Sequence, residues 1–130
     1  QPRSHKGQPI GAKQVVAHRI ARMWGQIEQS RALIYESLGM ADRLIVTGDT
    51  SLAAETKMLI STSKYTTCEM AIDVAKQCVW LHGGLGIVEE TGISRYLRDA
   101  QTLSIADGTP DLHIESVAFL LGMPSSQLTI

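Results

Sequence analysis

With 130 residues and 12 Lys and Arg against 13 Asp and Glu, the chain is long enough for one core and close to neutral at a net charge of −1. That balance leaves no sustained basic face of the kind nucleic acid or an anionic membrane selects, and no apolar run approaches the ~20 residues that span a bilayer. Cys68 and Cys78 fall in one helix-like segment at a spacing whose helical rise is about 15 Å, beyond the roughly 7 Å a disulfide tolerates. A soluble domain with reduced thiols, partnered by protein or small molecules, is the expectation.

The polar opening Gln1-Pro2-Arg3-Ser4-His5-Lys6-Gly7-Gln8-Pro9 has neither an initiator Met nor an apolar signal core, and is expected to continue from an upstream region of a longer chain. From Ile10 onward Val16, Ile20, Met23, Ile27, Ile34 and Leu38 recur at steps of four, three, four, seven and four, which keeps one helix face apolar over about Gly11 to Val46. Such a helix is about 54 Å long at 1.5 Å per residue, so antiparallel partners are expected to flank it. Thr47-Gly48-Asp49-Thr50-Ser51 reads as a turn that stops the helix at glycine and offers Asp49, Thr50 or Ser51 as the next N-cap.

A second long helix is expected from about Leu52 to His82, with Met70, Val74, Cys78 and Leu81 at helical spacing; the Ser and Thr residues at 61–67 leave its first half less decided. Gly83-Gly84-Leu85-Gly86 stops it. A short helix over about Ile93 to Leu103 places Arg95 and Asp99 four apart, as a pair worth a few tenths of a kcal/mol. After a turn at Ser104 to Gly108, Thr109-Pro110-Asp111 has the N-cap, N1 proline and acidic first turn of a final helix, which runs to about Leu121. No β-period alternation survives a count. The predicted fold is all-α, an up-down antiparallel bundle of two long helices, one short and one terminal.

Metal chemistry finds little support: no Glu-x-x-His pair occurs, and His5, His18, His82 and His113 are scattered. Gly83 to Gly86 lies between helices rather than after a strand, so it is either a tight interhelical turn or bare backbone that a ligand's phosphates can approach closely. Thr109 opens a helix whose unpaired N–H groups either bind water or accept an anion. Asp107, in an Asp-Gly pair, is either an ordinary turn residue or a catalytic carboxylate.

Taken together, Arg3, Gly7 and Gln14 before and into the first helix, the Gly-Gly-x-Gly turn at Gly83 to Gly86, Arg95-Tyr96-Leu97-Arg98-Asp99-Ala100 and Asp107-Gly108-Thr109 resemble, in order and spacing, the C-terminal helical domain of the acyl-CoA dehydrogenase family. The likeness covers nearly the whole chain from Arg3. It implies that residues 1–130 form one domain of a larger FAD-dependent enzyme that removes an α-proton from an acyl-CoA thioester while a β-hydride passes to flavin. Asp107 falls at the position of the base, and Thr109 and Asp111 where the family touches the same flavin. Arg3, Gln14 and the Gly83-Gly84 backbone fall where it reaches the FAD diphosphate or adenosine end of a neighbouring subunit. An electron-transfer flavoprotein or similar acceptor, a homo-oligomer (dimer or tetramer) and a cytoplasmic location, mitochondrial matrix in a eukaryote, are implied with it.

Departures accompany the likeness. The family usually has Glu at the position of Asp107, an aromatic at Ala106, Gln at Trp80 and an amide or similar polar group at Asp111. A related branch of flavin oxidases acting on nitroalkanes also uses an aspartate base, and a non-catalytic helical or oligomerisation module is the remaining alternative. Arg95 and Arg98 are read as structural, and Met23, Trp24 and Met40 as core or interface packing.

Overall fold

The structure, a computed structural model, describes residues 4–124. Arg3 lies outside the described residues. Four α-helices dominate: α1 (Gln14–Thr47), α2 (Ala53–His82), α3 (Ile93–Ile105) and α4 (Pro110–Leu120). The all-α bundle expected from periodicity is the architecture observed, with helix limits within about three residues of expectation.

One small element was not legible as periodicity. Ser4–His5 and Gln8–Pro9 pair antiparallel, Ser4 opposite Pro9 and His5 opposite Gln8. Lys6 and Gly7 both take positive φ, 53° and 77°, as a two-residue hairpin turn matched to strand twist requires. Two-residue strands are too short to show alternation.

Short connections fix the order. Gly48 closes α1 in the left-handed conformation, with its N–H on the Leu44 carbonyl at 3.0 Å. None of the three candidates caps α2 itself, whose N-cap is Leu52; Asp49 instead caps the short 3₁₀ turn Thr50–Leu52, its Oδ1 accepting the Ser51 N–H at 3.0 Å, and the Ser51 side chain first and this backbone bond second hold its carboxyl below the usual range. Connections this short make α1 and α2 antiparallel, and α3 then turns back along α2 from the glycine turn at its end.

α2 is the central helix, packed against α1, α3 and α4, whereas α1 packs extensively only against α2. Among the described residues α2 is the antiparallel helix that flanks α1, where more than one partner was expected. The α1 face turned to α2 carries Met23, Ser30, Ser37 and Met40, all buried. Of the apolar stripe read from sequence, only Met23 is fully buried; Val16, Ile27 and Ile34 are half-buried beside it, while Ile20 and Leu38 are 49% and 54% exposed. Small serines let the two backbones approach, so contact falls on a face that an apolar count undervalues.

The Ser/Thr-rich first half of α2 is helical for the same reason. Thr56, Ser61 and Ser63 are buried in it. Thr56, Ser63 and Thr66 donate their hydroxyls to the carbonyls of Leu52, Ile60 and Thr62 at 2.8, 3.0 and 2.7 Å, and Ser37 donates to Ile34 at 2.8 Å. Each of these four hydroxyls is satisfied within its own helix and can be buried at little cost, whereas the Thr67 hydroxyl in the same stretch is buried with no partner among the described residues. Across the seam Ser37 Oγ meets Ser63 Oγ at 3.4 Å. Further along, Gln26 donates to Asp73 at 3.3 Å while Lys76 pairs with the same carboxylate at 3.1 Å.

Both cysteines are free thiols, Cys68 buried and Cys78 half-buried. Among the described residues no helix is long and apolar enough to cross a membrane.

Candidate functional site

The candidate residues fall into two groups at separate places on α2. The first group sits on the turn between α3 and α4. α2 anchors that turn: Lys64 Nζ donates to the Leu103 carbonyl at 2.7 Å, and Cys68 Sγ approaches the same oxygen at 3.8 Å. A cation on the last carbonyls of a helix is favoured by the helix dipole as well as by the hydrogen bond. α3 runs two residues past the expected end at Leu103 because Ala106 N–H still reaches the Thr102 carbonyl, at 3.2 Å.

The chain then reverses through two consecutive positive φ values, 57° at Asp107 and 107° at Gly108. Asp is one of the few side chains that tolerate the left-handed region, and the second value suits glycine. A Cβ at 108 would lie 3.3 Å from His113 Nε2, so the space is also filled. The Asp107 carboxylate is exposed, and among the described residues it accepts no hydrogen bond and forms no ion pair. Its backbone carbonyl, in contrast, is held by His113 Nε2 at 3.2 Å.

Thr109 is the N-cap of α4, as expected, but its hydroxyl makes no capping bond; its carbonyl accepts from Leu112 and His113 N–H at 3.1 and 3.3 Å. Pro110 occupies N1 and Asp111 is exposed in the first turn. Asp107, Thr109 and Asp111 are thus brought together on one open edge.

The second group lies where α1 begins and α2 ends. Gln14 opens α1 and is exposed. Gly83 ends α2 at φ 60°, ψ −137°, and Gly84 is exposed with open space where a Cβ would stand. Gln14, His18, Arg19, Arg22 and Gln77 line a shared groove of about 780 Å³ between the two helices. Beside it, one turn before Gly83, the exposed Trp80 ring lies 5.8 Å from the Arg19 guanidinium and 5.4 Å from the Lys76 ammonium. The groove's amides and cations can donate to a dinucleotide diphosphate, with the Asp73 carboxylate also on its wall; Gly83 and Gly84 stand outside the groove lining.

The two groups are not neighbours. Lys64, which holds the acid turn, and Gly83 are separated by a stretch of α2 of roughly 29 Å at 1.5 Å per residue. Gly86 joins neither group as a ligand-facing residue: it is buried, and a Cβ there would meet the Val79 backbone, 2.9 Å from Cα and closer still to the carbonyl oxygen. Its role is tight packing of the turn on α2. Arg95 pairs with Asp99 at 3.3 Å and Arg98 with Glu89 at 3.4 Å, the structural roles expected of both. Lys64, Cys68 and His113 were not singled out for the acid turn by sequence; only tertiary placement makes them its supports. Among the described residues no group of three or more His, Cys, Asp or Glu is arranged to hold a metal.

The fold and these two edges define an all-α bundle domain that displays its polar candidate residues at open helix ends. A family model for the acyl-CoA dehydrogenase C-terminal domain matches residues 1–121, and the chain belongs to that family. It is 34% identical over 112 residues to an L-prolyl-[peptidyl-carrier protein] dehydrogenase of Pseudomonas fluorescens, covering 86% of this chain and 27% of that protein. It is 35% identical over 105 residues to a 3-methylmercaptopropionyl-CoA dehydrogenase of Ruegeria pomeroyi, 78% of this chain and 18% of the relative. The butyryl-CoA dehydrogenase structure from Megasphaera elsdenii superposes with a TM-score of 0.80 at 25% identity over 92% of this chain and 29% of that one. The chain therefore spans between 18% and 29% of the length of these relatives.

Proposed function

We propose that residues 1–130 are the C-terminal helical domain of an FAD-dependent acyl-CoA dehydrogenase that desaturates an acyl thioester between Cα and Cβ, with Asp107 as the base. The observation that carries this reading is the Asp107 carboxylate: it stands unpaired at an open turn whose backbone is braced from both sides. A carboxylate kept free of internal partners is available to take a proton, and proton abstraction by a positioned group contributes roughly 10²- to 10⁴-fold in rate. Bound FAD supplies the two-electron acceptor. Thr109 and Asp111, on the same edge, would contact the same flavin, while Gln14 and the Gly83-Gly84 backbone, together with Arg3, would hold the diphosphate or adenosine end of a flavin bound mainly by a neighbouring subunit.

The exposed surface supports assembly with other domains and copies. The chain exposes 9273 Å², whereas a compact monomer of this length exposes about 6,800 Å². Ile20, Trp24, Leu38 and Ile45 on α1 are 49%, 65%, 54% and 78% exposed. Such a stripe fits a homo-oligomer, with an electron-transfer flavoprotein or similar protein as the final acceptor.

Anaerobic addition of acyl-CoA to the full-length enzyme should bleach the flavin band at about 450 nm. The 130-residue chain alone, supplied with FAD, acyl-CoA and an electron acceptor, should show no turnover. Unchanged absorbance in the full-length protein overturns the reading; oxygen uptake with a nitroalkane but none with acyl-CoA points to a flavin oxidase. Because one relative is named for a carrier-bound prolyl group, acyl-CoA and acyl-carrier protein should both be offered.

A further inference from the structure

We infer that His113 is a positioning residue for the Asp107 base, holding the carboxylate-bearing backbone in place from the first turns of α4. The inference rests on the reading of Asp107 as base. Asp107 occupies the left-handed region at φ 57°, which aspartate tolerates better than most residues with a Cβ, followed by Gly108 at φ 107°, so the orientation of its peptide depends on this turn being kept. An aspartate has a single methylene between Cα and carboxyl, so its oxygens follow the backbone closely. Whatever fixes the Asp107 peptide fixes the origin and direction from which the carboxylate's two side-chain torsions reach.

His113 does this at the backbone, leaving the carboxylate free. The Asp107 carbonyl can only accept, so Nε2 of His113 carries the proton and donates at 3.2 Å. The same ring lies over Gly108: a Cβ there would come 3.3 Å from Nε2 and 3.7 Å from Cδ2. His113 is itself tied into α4 by its N–H on the Thr109 carbonyl at 3.3 Å. One side chain therefore spans from the helix, across the glycine, to the peptide that carries the acid. On the far side Lys64 fixes the end of α3 through Leu103. A misplacement of about 1 Å in a reacting group can cost roughly 100-fold in rate, so release of this brace should appear in the chemical step.

The test uses the full-length holoenzyme and anaerobic stopped-flow reduction of its flavin by acyl-CoA and by the α-deuterated acyl-CoA. H113F keeps a ring and removes the donor; H113Q restores an N–H of similar reach. H113F should slow flavin reduction at saturating substrate by about 10- to 100-fold, with substrate affinity within about twofold and a larger α-deuterium isotope effect. H113Q should recover to within about threefold of the parent rate, a rescue that loss of packing alone would not produce. G108A, which pushes a methyl group toward Nε2, should show the same signature, and carries the test if H113F fails to retain flavin. H113F and G108A at the parent rate, or H113Q as slow as H113F, overturn the positioning role. D107N reducing at the parent rate overturns the base itself, and the inference with it.

Discussion

The seam between α1 and α2 and the turn between α3 and α4 are held by opposite means. At the seam, order comes from many small contacts: buried Met23 and Met40, and hydroxyls of Ser37, Ser63 and Thr56 satisfied within their own helices. At the turn it comes from two left-handed residues and a few long-range bonds, Lys64 to Leu103 and His113 to Asp107. The first arrangement tolerates loss of any one contact but not added bulk. The second carries little apolar burial, and single atoms decide where the acid stands. A rigid, redundant scaffold and a sparse, singly braced edge are the division expected when a domain must present a reactive group and leave its carboxylate unencumbered.

The largest test of that division is D107N in the full-length enzyme. It should lower the rate of flavin reduction by roughly 10²- to 10⁴-fold while leaving thermal unfolding unchanged, because the exposed carboxylate has no internal partner to lose. A large drop in melting temperature would show that the turn and the scaffold are not separable. Next comes G86A. Its methyl group would press on the backbone of Val79, which cannot rotate away as a side chain could, so a loss of about 3 kcal/mol in unfolding free energy is expected by circular dichroism. A neutral G86A would mean that the glycine turn is not packed on α2 as described.

Sequence carried the bundle well and the candidate edges partly. Helical spacing, Gly48 and the Thr109-Pro110-Asp111 start placed all four helices, since caps and periodicity are local signals. The α1 contact face was only partly legible from apolar spacing: Met23, Ile27 and Ile34 marked it, but Ser30 and Ser37 count as polar although their hydroxyls are internally bonded or small enough to bury. At the acid turn, Asp107, Gly108 and Thr109 were visible as turn chemistry and as a family motif. The brace was not: His113 is six residues from its acceptor, and Lys64 is joined to Leu103 across 39 positions, and no periodicity encodes either.

S37L addresses the seam directly. Ser37 is 3% exposed and faces Ser63, so a larger side chain should separate the helices and cost about 2 kcal/mol, measured by urea unfolding. Its neighbour Leu38 is 54% exposed, and L38S should be nearly neutral in the isolated chain yet weaken assembly of the full-length protein. Equal effects of the two on unfolding of the isolated chain would place α2 on the wrong face of α1.

The smallest expected effect is the charge of Asp73, the electrostatic link within the otherwise apolar and hydroxyl-lined seam. Its carboxyl is held below the ordinary range by the hydrogen bond from Lys76 first and that from Gln26 second. A depressed folded value means the carboxylate binds its proton less readily folded than unfolded. Its contribution is then complete above the unfolded value of about 3.9 and disappears as pH falls through the folded one. D73N keeps an acceptor for Gln26 and removes the charge facing Lys76. Since both partners are partly exposed, the difference from the parent at pH 7 should be only a few tenths of a kcal/mol, reduced further by 1 M salt. Thermal unfolding of parent and D73N should converge as pH drops from about 5 to about 2. A gap that widens on acidification would mean the carboxyl is stabilised in its protonated form, and that the α1–α2 link through Gln26 does not depend on charge.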